Sequence, residues 1–144
     1  MNLRRLARHI LEEWEDEIDF DVEYDDDEDK VTLSGNIELD PYDDHVLFTI
    51  EIYDAEDTVA MYLDFCFDEL EITREALLLV NAFNDKSLFL KAQIDPDDPN
   101  YLRVVYNAKL VSEEHVVNHV NFAIGELVDD DLVPYLKPLT LLTE

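Results

Sequence analysis

Apolar and charged residues alternate with a period of two through four successive runs between Ile18 and Phe67, and this pattern narrows the fold more than any other feature of the chain. The first run sets Ile18, Phe20, Val22 and Tyr24 against Asp19, Asp21 and Glu23. The others carry Val31, Leu33, Gly35, Ile37 and Leu39, then Val46, Phe48, Ile50 and Ile52, then Val59, Met61, Leu63, Phe65 and Phe67. Successive side chains of a strand point to opposite faces, so each run predicts a half-buried strand. The acidic turn Asp25 to Asp29, the break at Asp40-Pro41 and the turn at Asp54 to Asp57 are short, which favours antiparallel neighbours.

The period changes elsewhere. Leu3, Leu6, Ala7, Ile10, Leu11 and Trp14 recur at helical spacing, predicting a first helix that stops near Asp16. Its charges oppose the helix dipole, with Arg4, Arg5 and Arg8 at the start and Glu12, Glu13, Glu15 and Asp16 at the end, so another part of the domain or an acidic partner is expected to position the arginines. Thr73 is suited to cap a second helix running from Ala76 to Asn84. Ala76, Leu79, Val80 and Phe83 share one face of it, while Leu78 and Ala82 fall off that face. A helix apolar on more than one side is covered on more than one side, by this chain or by a second subunit. Leu88, Leu90, Ala92 and Ile94 alternate again, and after the turn Asp95 to Asn100 so do Leu102, Val104, Tyr106, Ala108 and Leu110. The other face of this hairpin gathers Lys91, Arg103 and Lys109. Ser112 caps a third helix with the core line Val116, Val120, Ala123, Ile124 and Leu127; the tail from Leu132 to Thr143, interrupted by Pro134 and Pro138, is too apolar for a free end.

The expected fold is therefore α+β: one domain over residues 1–144, an antiparallel sheet of five or six strands and three helices in the order α-β-β-β-β-α-β-β-α. A hydrophobic share of 47% is normal for a packed core, even though 37 acidic against 10 basic residues leave a net charge of −27. That charge argues against direct nucleic-acid binding and against an anionic membrane surface. No apolar run is long enough for a signal peptide or a bilayer span, and the single Cys66 has no internal disulfide partner, so a soluble cytoplasmic protein is expected.

Chemistry finds little support. Two glycines, Gly35 and Gly125, stand where average usage of about 7% predicts roughly ten, too few for a phosphate-cradling loop. His115 and His119 have the spacing at which two imidazoles share a metal, but Val116 takes the place of the zincin glutamate; a half-exposed structural role is the default. An EF-hand begun at Asp25 would need Gly and Glu where Lys30 and Asn36 stand. Ser34, Ser87 and Ser112 lack a nucleophile elbow, and Cys66 lies in a strand pattern with no catalytic signature. No enzyme, metal or cofactor is expected. The candidate protein-contact residues are Leu78 and Ala82 on the second helix and Phe122 on the third, which lies on the side opposite the core line beside His115, His119 and Glu126.

Val80-Asn81-Ala82-Phe83-Asn84, followed by Ser87-Leu88-Phe89-Leu90-Lys91-Ala92 and Leu102-Arg103-Val104-Val105, resembles the YbjN-like family of small bacterial proteins, in which an Asn-containing helix end leads into such a hairpin and a third helix follows. The resemblance implies a fold similar to the type III secretion chaperones, often dimeric, acidic and without enzymatic activity, and it transfers no binding residue. The resulting expectation is a non-enzymatic, chaperone-like or regulatory protein-binding module, a homodimer with a protein partner. The alternative is a nucleic-acid mimic, since DNA presents a charge about every 1.7 Å; a solubility or salt adaptation is the third reading.

Overall fold

In the computed structural model, which describes residues 2–38, 45–54, 58–66, 74–95, 97, 101–109 and 112–141, the alternating runs become strands of one sheet. The strands are β1 (Phe20–Asp25), β2 (Lys30–Glu38), β3 (His45–Tyr53), β4 (Thr58–Cys66), β5 (Lys91–Ile94) and β6 (Tyr101–Lys109). The helices are α1 (Leu3–Trp14), α2 (Arg74–Lys86), α3 (Glu113–Leu127) and α4 (Val133–Leu141). The sheet runs β1-β2-β3-β4-β6-β5 with every pairing antiparallel, so the only non-sequential neighbours are β4 and β6, with α2 and β5 inserted between them in the chain. The predicted element order is observed, and the apolar tail adds a fourth helix to it. The Thr73 cap and the strand-end residues Leu39, Phe67 and Leu110 lie outside the described residues.

One face of the sheet carries the core. Val31, Leu33, Phe48, Ile50, Ile52, Val59, Leu102 and Val104 are buried against Leu6, Ala7 and Ile10 of α1 and Val120, Ala123, Ile124 and Leu127 of α3. α1 lies on β2 and against α3, α3 on β4, and α2 against both β5 and α4. Leu132, Leu136 and Leu139 are buried, which is why the tail is helical despite Pro138: the bond that proline cannot donate is outweighed by packing. α2 is thus covered by this chain's own β5 and α4 on one flank, while Leu77, Leu78 and Ala82 remain exposed on another.

Two of the arginines of α1, Arg4 and Arg5, are positioned from within the domain. Glu113 accepts from the Asn2 backbone N–H at 2.8 Å and pairs with the Arg5 guanidinium at 2.5 Å. That amide and that cation hold the Glu113 carboxyl below the ordinary carboxylate range. Arg4 lies over the Tyr24 ring, 4.1 Å from its centroid. The two sheet edges are managed differently. β1 leaves Asp21 and Glu23 exposed, charges that discourage strand addition; β5 is occupied by a side chain, described below.

Gly35 is required by close approach. It pairs with Phe20 on one side and Phe48 on the other, and those two rings meet edge to face at 5.7 Å. A Cβ built on Gly35 would lie 2.6 Å from the Phe48 ring and 2.9 Å from the Phe20 ring, and Phe48 is fully buried with nowhere to retreat. Gly35→Val should cost about 1–3 kcal/mol of stability through overpacking, read as a lowered urea midpoint; an unchanged midpoint would show that the two rings repack freely.

Candidate functional site

The turn that joins α2 to β5 is densely hydrogen-bonded, and four side chains build it. Asn84, in the last turn of α2, donates from Nδ2 to the Ala92 carbonyl at 2.9 Å and accepts the Ala92 N–H on Oδ1 at 2.6 Å. This amide does for the outer edge of β5 what another strand would do. Lys91 turns its ammonium back to the carbonyls of Asn84 at 3.0 Å and Ser87 at 2.7 Å, placing a cation on the negative end of α2. Ser87 is buried and donates its hydroxyl to the Leu90 carbonyl. The expected grouping of Lys91 with Arg103 and Lys109 is therefore divided: register places all three off the core face, but Lys91 is spent on the helix end.

The fourth side chain comes from far along the sequence. Glu126 of α3 accepts from the N–H of Leu88 on Oε1 at 2.5 Å, and from the N–H groups of Phe89 at 2.8 Å and Leu90 at 3.2 Å on Oε2. Three consecutive amides ending on one carboxylate form a concave nest, a charge-assisted arrangement stronger than neutral bonds. It turns Leu90 into the core and leaves Leu88 outside, 81% exposed. Alternation places Leu88 in the strand; the structure corrects this, because β5 starts at Lys91 and the amides of Leu88 to Leu90 belong to Glu126 instead of to a neighbouring strand.

Phe89, fixed by this nest, stacks on Phe122 with ring centroids 5.7 Å apart and planes 9° from parallel. Tyr106 of β6 meets Phe89 edge to face at 6.3 Å. Its hydroxyl hydrogen-bonds to His119 Nδ1, and the His119 ring stands 6.4 Å from Phe122. Burial raises the Tyr106 phenol above its usual range. From the other flank of α3, Asn121 accepts the Trp14 indole N–H at 2.9 Å, fixing the helix against α1. Phe122, singled out from the sequence, is 54% exposed yet belongs to a four-ring cluster. Leu78 and Ala82 stand exposed on α2, outside that cluster, opposite the buried line Ala76, Val80 and Phe83. The histidines at 115 and 119 do not act as a pair: His119 is tied to Tyr106, while His115 is exposed. Among the described residues no three His, Cys, Asp or Glu side chains converge as a metal site requires. Sequence reasoning missed Phe89, Tyr106 and the role of Glu126. The available signal was the placing of Glu126 one turn after Phe122 on an exposed face.

The profile of the YbjN family, described as "Putative bacterial sensory transduction regulator", matches residues 7–131. Among solved structures, the crystal structure of YbjN from E. coli, described as a "putative transcription regulator", is similar at 19% identity with a TM-score of 0.48, covering 95% of this chain and 90% of that one. Comparison with curated proteins finds no match.

If Glu126 holds the turn, Glu126→Ala should lose about 1–3 kcal/mol by removing charge-assisted bonds whose amides then turn to water. The N–H groups of Leu88, Phe89 and Leu90 should then exchange with solvent much faster, together. Equal exchange in the two proteins would show that the carboxylate is incidental.

Proposed function

The chain belongs to the YbjN family, and we propose that it is a non-enzymatic regulatory protein that holds a protein partner on the face formed by Phe89 and Phe122 and associates with a second copy of itself through α2. The observation that carries this reading is the stacked, solvent-exposed ring pair held in place by Glu126. Half-exposed aromatic rings gain on the order of 1–3 kcal/mol each when a partner covers them, and rings already ordered before binding lose little entropy at that step. The description of the family as regulators of sensory transduction accords with binding in place of catalysis.

Leu78 and Ala82 lie one turn apart on α2 and give the second surface its small apolar centre. Each copy carries −27, so association of two is opposed by long-range repulsion that salt screens. The same charge keeps nucleic acid and anionic membrane out of the proposal as direct partners, and the cytoplasm is its setting. Among the described residues no helix is long and apolar enough to cross a membrane.

Sedimentation equilibrium and affinity capture test the two surfaces separately. The wild type should dimerise more tightly as salt rises, and Leu78→Glu should be monomeric. Phe122→Ser should remain dimeric while losing a captured protein that Leu78→Glu retains. A strict monomer at all salts overturns the dimer, and a partner indifferent to Phe122→Ser overturns the aromatic face.

A further inference from the structure

We infer that β1 is an acceptor edge for an extended segment of a partner protein, one in which apolar and basic residues alternate and which joins the sheet as a further strand. The inference goes beyond the reading above and concerns the sheet edge opposite β5. β1 ends the strand order and, among the described residues, pairs with β2 alone, from Phe20 to Asp25. In an antiparallel pair alternate residues turn their N–H and C=O groups away from the partner, so the outer side of β1 carries a row of backbone groups open to another strand. The other edge lacks this opening at Ala92, where both backbone groups of β5 are taken by the Asn84 side chain.

The side chains of β1 specify what such a strand carries. Phe20 and Val22 pack against the core on the helix side of the sheet, yet both are only half-buried. Tyr24 continues that side, but Arg4 already lies over its ring. On the opposite side Asp21 and Glu23 are exposed, and β2 sets only the neutral Ser34 and Thr32 beside them. Among the described residues neither acid forms an ion pair. A strand laid along β1 matches it face for face, so its apolar residues cover the flanks of Phe20 and Val22 and the residues between them meet Asp21 and Glu23. Opposite charges across such a pair stabilise and like charges destabilise, which makes those intervening residues Lys or Arg. The acids that turn away most strands thus select a basic one. They also exclude a second copy, whose own β1 would bring another Asp21 and Glu23 to the same side. Main-chain bonds would supply the affinity of this addition and the alternate side chains its specificity.

The probe is a short fluorescein-labelled peptide of alternating Val and Lys, beside the same peptide with Gln in place of Lys. Two further versions are N-methylated on every Val or on every Lys nitrogen. Only one of these two sets of N–H groups can point at β1, so one methylated peptide should lose binding and the other keep it. Anisotropy titrations use the full-length protein, the variant Asp21→Asn/Glu23→Gln, and a control variant Asp130→Asn/Asp131→Asn that removes the same charge beyond the end of α3. The Lys peptide should bind the wild type and slow hydrogen exchange at alternate amides of β1. Asp21→Asn/Glu23→Gln should weaken it roughly fivefold, the sum of two exposed cross-strand pairs. The control variant and Phe122→Ser should leave it unchanged, which keeps this edge separate from the aromatic face.

Equal losses from the two charge variants would reduce the binding to unspecific attraction and overturn the inference. Binding kept by both methylated peptides overturns strand addition, and a Gln peptide that binds as well as the Lys peptide overturns the basic occupant. If the Lys peptide does not bind at all, the inference falls and the reading of Phe89 and Phe122 is untouched.

Discussion

Three neighbouring backbone N–H groups converge on one carboxylate, and the placing of everything exposed on this side of the molecule follows from that. Without Glu126, the stretch from Leu88 to Leu90 would offer three amides to water and be held only by the Ser87 hydroxyl on the Leu90 carbonyl and by Lys91 on the Ser87 carbonyl. With it, Leu90 is fixed inward and Phe89 outward onto Phe122, and α3 is locked to the turn that starts β5. Asn84 completes the arrangement from the opposite side by closing the edge of β5 at Ala92. Four polar side chains, Glu126, Asn84, Ser87 and Lys91, thus anchor one short turn, and the rings of Phe89 and Phe122 are left as surface.

The net charge of −27 takes its meaning from where the acids lie. Many occupy turns and helix ends, as at Asp25 to Asp29 and Asp129 to Asp131, where they bond to local amides and remain in water. A few have structural work: Glu113 joins α1 to α3, Glu51 and Glu28 pair with Lys30, and Glu126 orders a loop. The arginines at the start of α1 run against that helix's own dipole, but Arg5 finds Glu113 and Arg4 the Tyr24 ring, so tertiary contacts override the local preference.

The order of strands and helices was legible because a period of two and a period of 3.6 are hard to confuse over long runs, and because the turns between them are short and acidic. The core face of the sheet followed from the same alternation, and the family resemblance from Asn84 and the hairpin after it. Three features were not legible. α4 was hidden because Pro138 interrupts its pattern and only burial of Leu136 and Leu139 makes it a helix. Leu88 was drawn into the strand by an alternation that is real in sequence but begins three residues before the strand does. The partnership of Phe122 with Phe89, and of both with Tyr106, joins three elements whose contact no local pattern encodes. Phe122 itself was visible, since exposure on a helix is a local property; its neighbours were not.

The central claim is that the unliganded protein already presents Phe89 and Phe122 as an ordered pair because Glu126 holds the turn between α2 and β5. Nuclear Overhauser contacts between the two rings in the free protein in solution measure this directly. The account predicts strong Phe89–Phe122 cross-peaks in the wild type that fade in Glu126→Ala while those between Phe20 and Phe48, in the sheet core, persist. Absence of the first set in the wild type, or its survival unchanged in the variant, would contradict it.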